Sequence, residues 1–113
     1  MRITIVAALA RLLAPAPGRA EKPITIVAFG DSLTAGYQLG PDEGFAERLQ
    51  AKLAERGQDV RIVNAGVSGD TTSGGLARLD WSVPPDADGV ILELGGNDAL
   101  RGIDPGTTEA NLD

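Results

Sequence analysis

The chain has 113 residues, with ten basic against sixteen acidic side chains, and it contains neither cysteine nor histidine. The absence of cysteine excludes disulfides, thiolate nucleophiles and cysteine metal sites, and the absence of histidine leaves the chain without an imidazole base. From Glu21 onward, seven basic and sixteen acidic side chains give a net charge of −9, which disfavours binding to nucleic acid or to an anionic membrane surface.

The first twenty residues have the layout of a secretory signal. Met1-Arg2 is followed by an apolar stretch over residues 3–14 and by the small residues Gly18 and Ala20. This stretch is shorter than the ~20 apolar residues that a membrane-spanning helix needs. We therefore expect residues 1–20 to be a signal peptide cut after Ala20 and the protein to be periplasmic or secreted. The alternative is an amphipathic or disordered extension.

Residues 24–29 form the first predicted strand. They are mostly β-branched and apolar, which is typical of a parallel strand buried on both faces. Residues 44–56 then show helical spacing, and Gly57 is a suitable stop just beyond the last turn. The apolar stripe of this helix consists of Phe45, Ala46, Leu49 and Leu53.

A second strand is predicted at residues 60–64. It is followed by a helix whose cap is Thr71 or Thr72 and whose end precedes the proline pair at 84–85. The apolar side chains that this helix carries are Leu76, Leu79 and Trp81.

A third strand is predicted at residues 89–94, followed by the start of a helix capped by Thr107 or Thr108. Strands that alternate with helices predict an α/β fold: a flavodoxin-like parallel sheet with helices on both faces. Three strands are fewer than the five or six of most doubly wound folds. We therefore expect residues 21–113 to be the N-terminal part of a domain truncated after its third strand.

Polar, glycine-rich turns follow each of the three predicted strands. They lie at residues 30–32, 64–70 and 95–98. Open parallel sheets bind ligands beyond the carboxyl ends of their strands. The sequence therefore predicts a small-molecule site at this edge.

Ser32 and Asn97 are the side chains of greatest chemical interest in these turns. Ser32 is either an ordinary helix cap or a nucleophile at a helix N-terminus, where the helix dipole favours negative charge. Asn97 is either a turn residue or an amide donor to a developing oxyanion. Asp31 is either a turn former or an anchor for hydrogen bonds in the first loop.

Gly66 is either a turn glycine or a bare backbone N–H that a substrate oxygen can approach. Asp70 and Asp98 are most simply carboxylates that stabilise their loops. No phosphate-binding glycine motif and no spacing of metal ligands is present, so we expect neither a cofactor nor a metal.

The three turns resemble the signature blocks of the GDSL, or SGNH, hydrolases. The blocks are residues 30–37, 64–72 and 95–98. Residues 75–79 and 92–102 are similar to the thioesterase I, lysophospholipase L1 and arylesterase branch, whose members are commonly periplasmic. The resemblance covers residues 24–113.

This resemblance implies a serine esterase or thioesterase that cleaves small acyl esters or thioesters through an acyl-Ser32 intermediate. It implies that the oxyanion hole is formed by the Ser32 N–H, the Gly66 N–H and the Asn97 side chain. The supporting residues are Asp31, Asp70 and Asp98.

The family also has an Asp-x-x-His block, and this sequence contains no histidine. Because the serine hydroxyl needs a base, we expect the chain to be an N-terminal portion that is inactive as it stands. Two alternatives remain open: a non-catalytic module that binds a small ligand or a partner on the same fold, and a carbohydrate acetylesterase.

Overall fold

The computed structural model describes residues 22–113, so the predicted signal peptide lies outside the described residues. Three strands and five helices follow one another along the chain. They are β1 (Ile24–Gly30), α1 (Ser32–Ala35), α2 (Phe45–Glu55), β2 (Val60–Gly66), α3 (Thr72–Ser82), β3 (Gly89–Glu93), α4 (Gly96–Leu100) and α5 (Pro105–Leu112).

The three strands form a parallel sheet in the order β2-β1-β3. Gly30, the last residue of β1, lies opposite Gly66 of β2 and opposite Glu93 of β3. The three strand ends therefore meet at one edge of the sheet, as the sequence predicted. The predicted α/β class with a parallel sheet is confirmed.

The central strand β1 forms the core. Val27, Ala28 and Phe29 are at most 1% exposed. Their side chains alternate between the two faces of the sheet. The side chain of Gln50 in α2 hydrogen-bonds the outer backbone edge of β2, and Gly75 of α3 packs against Phe29 of β1. Helices α2 and α3 therefore pack against the sheet at β2 and at β1.

Helix α2 ends as predicted, because Gly57 follows it with a φ of 68°. The backbone N–H of Gln58 returns to the carbonyl of Leu53, which closes the helix end. The predicted apolar stripe is only partly buried. Ala46 is 2% exposed, whereas Phe45 at the start of the helix is 47% exposed.

Helix α3 is capped by Thr71, whose side chain accepts the Gly74 N–H. Its buried residues are Thr72, Gly75 and Arg78, which lie three positions apart and so form one stripe. The predicted apolar residues of this helix are exposed. They are Leu76, Leu79 and Trp81.

Two features of the C-terminal segment differ from the sequence prediction. Helix α4 was predicted only as a turn. The cap of α5 is Asp104 and not Thr107 or Thr108, because the Asp104 side chain accepts the Gly106 N–H and Pro105 supplies a first helical residue with no N–H to satisfy. The Thr108 hydroxyl instead donates to Asp98.

The helices within residues 22–113 are all too short or too polar to cross a membrane.

Candidate active site

Ser32 is the first residue of α1, directly after the turn that ends β1. Asp31 caps this helix, because its Oδ1 accepts the Leu33 N–H at 3.0 Å. The Ser32 hydroxyl has no hydrogen-bond partner among the described residues, and Ser32 is partly exposed. The cap of this helix is therefore Asp31 and not Ser32.

Helix α1 has only four residues and ends at Gly36, whose φ is 81°. The dipole of a helix is the sum of its aligned peptide units, so one turn contributes little. The predicted dipole effect on Ser32 is correspondingly small. The position of Ser32 instead depends on the hydrogen bonds of Asp31.

Asn97 lies in the first turn of α4 and contacts both other turns at this edge of the sheet. Gly95, with a φ of 122°, allows the sharp bend from β3 into this helix. The Asn97 Nδ2 donates to Asp31 Oδ2 at 3.1 Å and to the Asp70 carbonyl at 2.9 Å. The amide is thus held against the residue that precedes Ser32.

Gly66 lies at the end of β2, but its N–H does not point toward β1. The Val67 N–H donates to the Gly30 carbonyl, so odd-numbered residues of β2 direct their N–H groups to β1 and Gly66 directs its own to the outer edge. There it donates to Asn64 Oδ1 at 2.9 Å. This geometry argues against the predicted oxyanion role of Gly66.

The reason for glycine at this position is close packing. A Cβ atom on Gly66 would collide with the backbone of Thr34 and Ala35. Gly66 thereby lets α1, and with it the Ser32 turn, lie directly on the end of β2.

Gly69 offers a backbone donor that the sequence prediction missed. Its φ is 82°, and its carbonyl accepts Arg101 Nη2 at 2.7 Å. Its N–H donates to no acceptor within residues 22–113. Gly69 precedes Asp70, whose carbonyl binds the Asn97 amide. A second glycine between polar residues in the same turn was the available signal.

Asp70 forms an ion pair with Arg78. This contact stabilises the loop that contains Asp70, which is the simplest of the roles considered for it from the sequence. The Arg78 Nε lies 2.7 Å from Asp70 Oδ2, and the two side chains are 8% and 11% exposed. Arg78 is a further residue that sequence analysis missed, because a charged residue in a helix usually faces solvent.

Asp98 is buried, at 1% exposure, and joins three helices. Its carboxylate accepts the backbone N–H of Thr72 at 2.8 Å, the Thr72 hydroxyl at 2.5 Å and the Thr108 hydroxyl at 2.8 Å. The hydroxyl bond from Thr72 is the largest cause of a lowered Asp98 pKa, which burial partly opposes. Asp98 therefore fixes the helix that carries Asn97.

Glu93, at the end of β3, is a second carboxylate beside the Ser32 turn. Its Oε1 accepts the Thr34 hydroxyl at 2.9 Å and the Asp31 N–H at 3.3 Å. Burial is the main cause that raises the Glu93 pKa, opposed by the Thr34 hydrogen bond. An acid inside an apolar strand was the only sequence signal for this contact.

The edge as a whole carries polar donors and carboxylates, and within residues 22–113 no group of three metal-binding side chains is placed to hold an ion. The Asn97 amide contacts Asp31, the residue before Ser32, so a serine and an amide donor are carried by neighbouring turns, and acyl transfer uses groups of these two kinds. The fold defines the class: an α/β protein with a parallel sheet and a serine at the carboxyl end of its central strand.

Residues 28–113 match the family model of the GDSL-like Lipase/Acylhydrolase family, and the chain belongs to that family. It is 45% identical over 89 residues to Esterase TesA of Pseudomonas aeruginosa, a match that covers 78% of this chain and 44% of that protein. It is also 45% identical over 91 residues to an arylesterase of Vibrio mimicus, covering 77% of this chain and 44% of the other.

A crystal structure of AlinE4, an SGNH-hydrolase family esterase, superposes with a TM-score of 0.74 at 47% identity. The superposition covers 80% of this chain and 50% of that one. The chain thus spans about half the length of the relatives that it matches.

Proposed function

We propose that these residues supply the nucleophile and the oxyanion donors of a serine hydrolase that cleaves acyl esters or thioesters. The observation that carries the proposal is the Asn97 amide held against Asp31, the residue that directly precedes Ser32 in the chain. The names of similar proteins, an esterase, an arylesterase and a thioesterase/lysophospholipase, support this substrate class.

In the proposed reaction, the Ser32 Oγ attacks the acyl carbonyl and a base takes its proton. The oxyanion receives hydrogen bonds from the Ser32 N–H, from Asn97 Nδ2 and from the Gly69 N–H. Both hydrogens of the Asn97 amide have acceptors in the structure, and the longer bond, to Asp31 Oδ2 at 3.1 Å, is the one the oxyanion replaces. Collapse expels the alcohol or thiol, and water then hydrolyses acyl-Ser32.

The proton acceptor in this proposal lies outside the 113 residues. The sequence contains no histidine, and the carboxylates of Asp31, Asp70 and Asp98 are already hydrogen-bonded in the structure. A solvated aspartate also has a pKa of about 3.9, far below that of a serine hydroxyl. The 113-residue chain alone should therefore show little turnover.

The test uses the protein expressed from its natural reading frame to the stop codon, assayed with p-nitrophenyl butyrate and a fluorophosphonate probe. We expect Ser32→Ala to lower kcat about 10⁴-fold or more and to abolish labelling, because the covalent intermediate is lost. Ser73→Ala, an exposed serine of α3, is the matched control and should retain both.

Hydrolysis that survives Ser32→Ala would reject Ser32 as the nucleophile. Tight ligand binding without any labelling would favour the non-catalytic module. Robust Ser32-dependent turnover by the 113-residue chain would reject the external base.

We also propose that residues 1–20 direct export. The support is the basic start, apolar stretch and small residues before position 21. N-terminal sequencing of the protein from a bacterial periplasmic fraction should begin at Glu21. Recovery of an uncut chain from the cytoplasm would contradict the proposal.

A further inference from the structure

Arg78 is a buried cation that the proposed reaction does not use. It is 7% exposed and lies in the buried stripe of α3. Burying a guanidinium is costly unless its donors and its charge are matched. The groups that the Arg78 guanidinium contacts therefore indicate which parts of the fold this buried charge stabilises.

The guanidinium bonds to three separate stretches of chain. Its Nε donates to Asp70 Oδ2 at 2.7 Å. Its Nη1 donates to the Ala65 carbonyl at 2.9 Å, and its Nη2 donates to the Gly30 carbonyl at 3.0 Å. The ring of Phe29 lies 4.0 Å from the guanidinium carbon and supplies a cation–π contact.

Two of these stretches, at Gly30 and at Asp70, adjoin residues of the candidate site. Gly30 ends β1, two residues before Ser32. The carbonyl of Asp70 accepts the Asn97 amide at 2.9 Å. Arg78 is thus one hydrogen-bonded step from the Ser32 turn and from the Asn97 donor, while it touches neither side chain.

Only arginine has the shape for this set of contacts. Its planar fork presents five donors in fixed directions, whereas lysine has one flexible ammonium group. A lysine at position 78 can keep the charge beside Asp70 but cannot reach the two strand carbonyls at the same time.

We propose that Arg78 is a positioning residue for the Asn97 oxyanion donor of the hydrolase. It fixes the ends of β1 and β2 and the Asp70 loop in one arrangement, and through Asp70 it sets the direction of the Asn97 amide. This inference rests on the proposed function, because it assigns Asn97 as an oxyanion donor.

The experiment is a double-mutant cycle of Arg78→Lys and Asn97→Ala in the protein expressed to its natural stop codon, assayed with p-nitrophenyl butyrate. Asn97→Ala should lower kcat about 10²- to 10³-fold, as removal of an oxyanion donor does. Arg78→Lys should lower kcat about 10-fold with KM changed less than about 2-fold, since the donor moves but stays present.

The decisive result is the double variant. If Arg78 acts through Asn97, Arg78→Lys should lower kcat less than about 2-fold in the Asn97→Ala background. A merely structural role would give the same ~10-fold loss in both backgrounds and would overturn the inference. Arg48→Lys, an exposed arginine of α2, is the matched control and should leave kcat unchanged.

Asp70→Asn provides a second route if Arg78→Lys does not fold. It keeps an oxygen acceptor for the Arg78 Nε and removes the charge, so we expect a kcat loss of about 3-fold that also vanishes in the Asn97→Ala background. A loss that persists there would overturn the inference. Ser32→Ala in the same assay separates the two proposals, because activity that survives it rejects the proposed function itself.

Discussion

Two regions of the molecule differ in how many of their contacts are made within residues 22–113. The polar rim lies at the carboxyl ends of the strands and consists of Asp31, Ser32, Asp70, Arg78, Glu93, Asn97 and Asp98. The apolar flank lies on α3, β3 and α5 and consists of Leu76, Trp81, Val90, Leu92 and Leu112. In the described part of the chain, every buried side-chain nitrogen and oxygen has a hydrogen-bond partner.

The flank has the opposite character. Leu92 is 52% exposed and Trp81 is 76% exposed, and the outer edge of β3 pairs with no other strand of residues 22–113. Exposed apolar surface beside an open strand edge favours association. The geometry of the rim therefore depends on hydrogen bonds formed within residues 22–113, whereas the exposed flank contributes little to the stability of the described part of the chain.

The largest expected effect falls at Gly66, which packs directly beneath the helix that carries Ser32. Gly66→Ala places a methyl group against the backbone of Thr34 and Ala35, which cannot move without shifting α1, so we expect a loss of about 3 kcal/mol in urea unfolding. Gly57→Ala is the matched control. Its φ is 68° and nothing lies within 4 Å of the added carbon, so the loss should be about 1 kcal/mol. Equal losses would contradict the packing role of Gly66.

The next largest expected effect is a difference in the free energy of unfolding between variants of two valines that pair across the sheet. Val27 of β1 lies opposite Val90 of β3, and they are 0% and 47% exposed. In the 113-residue chain, Val27→Ala should cost about 2 kcal/mol and Val90→Ala about 0.5 kcal/mol or less in the free energy of unfolding. A similar cost at both positions would mean that the flank is covered in solution.

A smaller expected effect is the pH dependence of the free energy of unfolding that arises from Asp98. Its pKa is lowered in the folded state from the ordinary 3.8, so its contribution to stability is present above that pH and is lost as the pH falls through the folded value. The stability difference between wild type and Asp98→Asn should be constant from pH 7 to 5 and should shrink below about pH 3.8 in urea titrations. A difference that does not change with pH would contradict this.

Glu93 should show the reverse dependence and the smallest effect. Its pKa is raised above the ordinary 4.5, so the folded state is favoured at low pH and loses stability as the pH rises from 4.5 through the folded value. Glu93→Gln keeps an oxygen acceptor for Thr34 and cannot ionise. Its stability relative to wild type should increase over that interval, and a fall over the same interval would reject the shift.

Much of the fold followed from local pattern. The apolar run of β1 and the glycine stop after α2 depend on neighbours in sequence and were predicted, and the predicted cap of α3 was Thr71 or Thr72, of which the structure uses Thr71. The cap of α5 was missed because a threonine pair competed with Asp104, and Pro105 was the overlooked sign that the helix starts earlier.

The candidate site was harder to predict in detail. That the Ser32 turn and Asn97 meet follows from parallel strands that end at one edge. The direction of the Gly66 N–H depends on which residues of β2 face β1, a register that strand periodicity does not specify. A one-residue difference in register would reverse the answer.

By itself, the sequence determined the alternation of the three strands with α2 and α3 and the edge at which the polar turns gather, since these depend on short-range periodicity and turn chemistry. Only the tertiary structure decided which backbone N–H groups are free, that Arg78 is buried, and that Glu93 and Asp98 have pKa values shifted in opposite directions. Those properties arise from contacts between residues far apart in the chain, and such contacts exist only once the strands are in register.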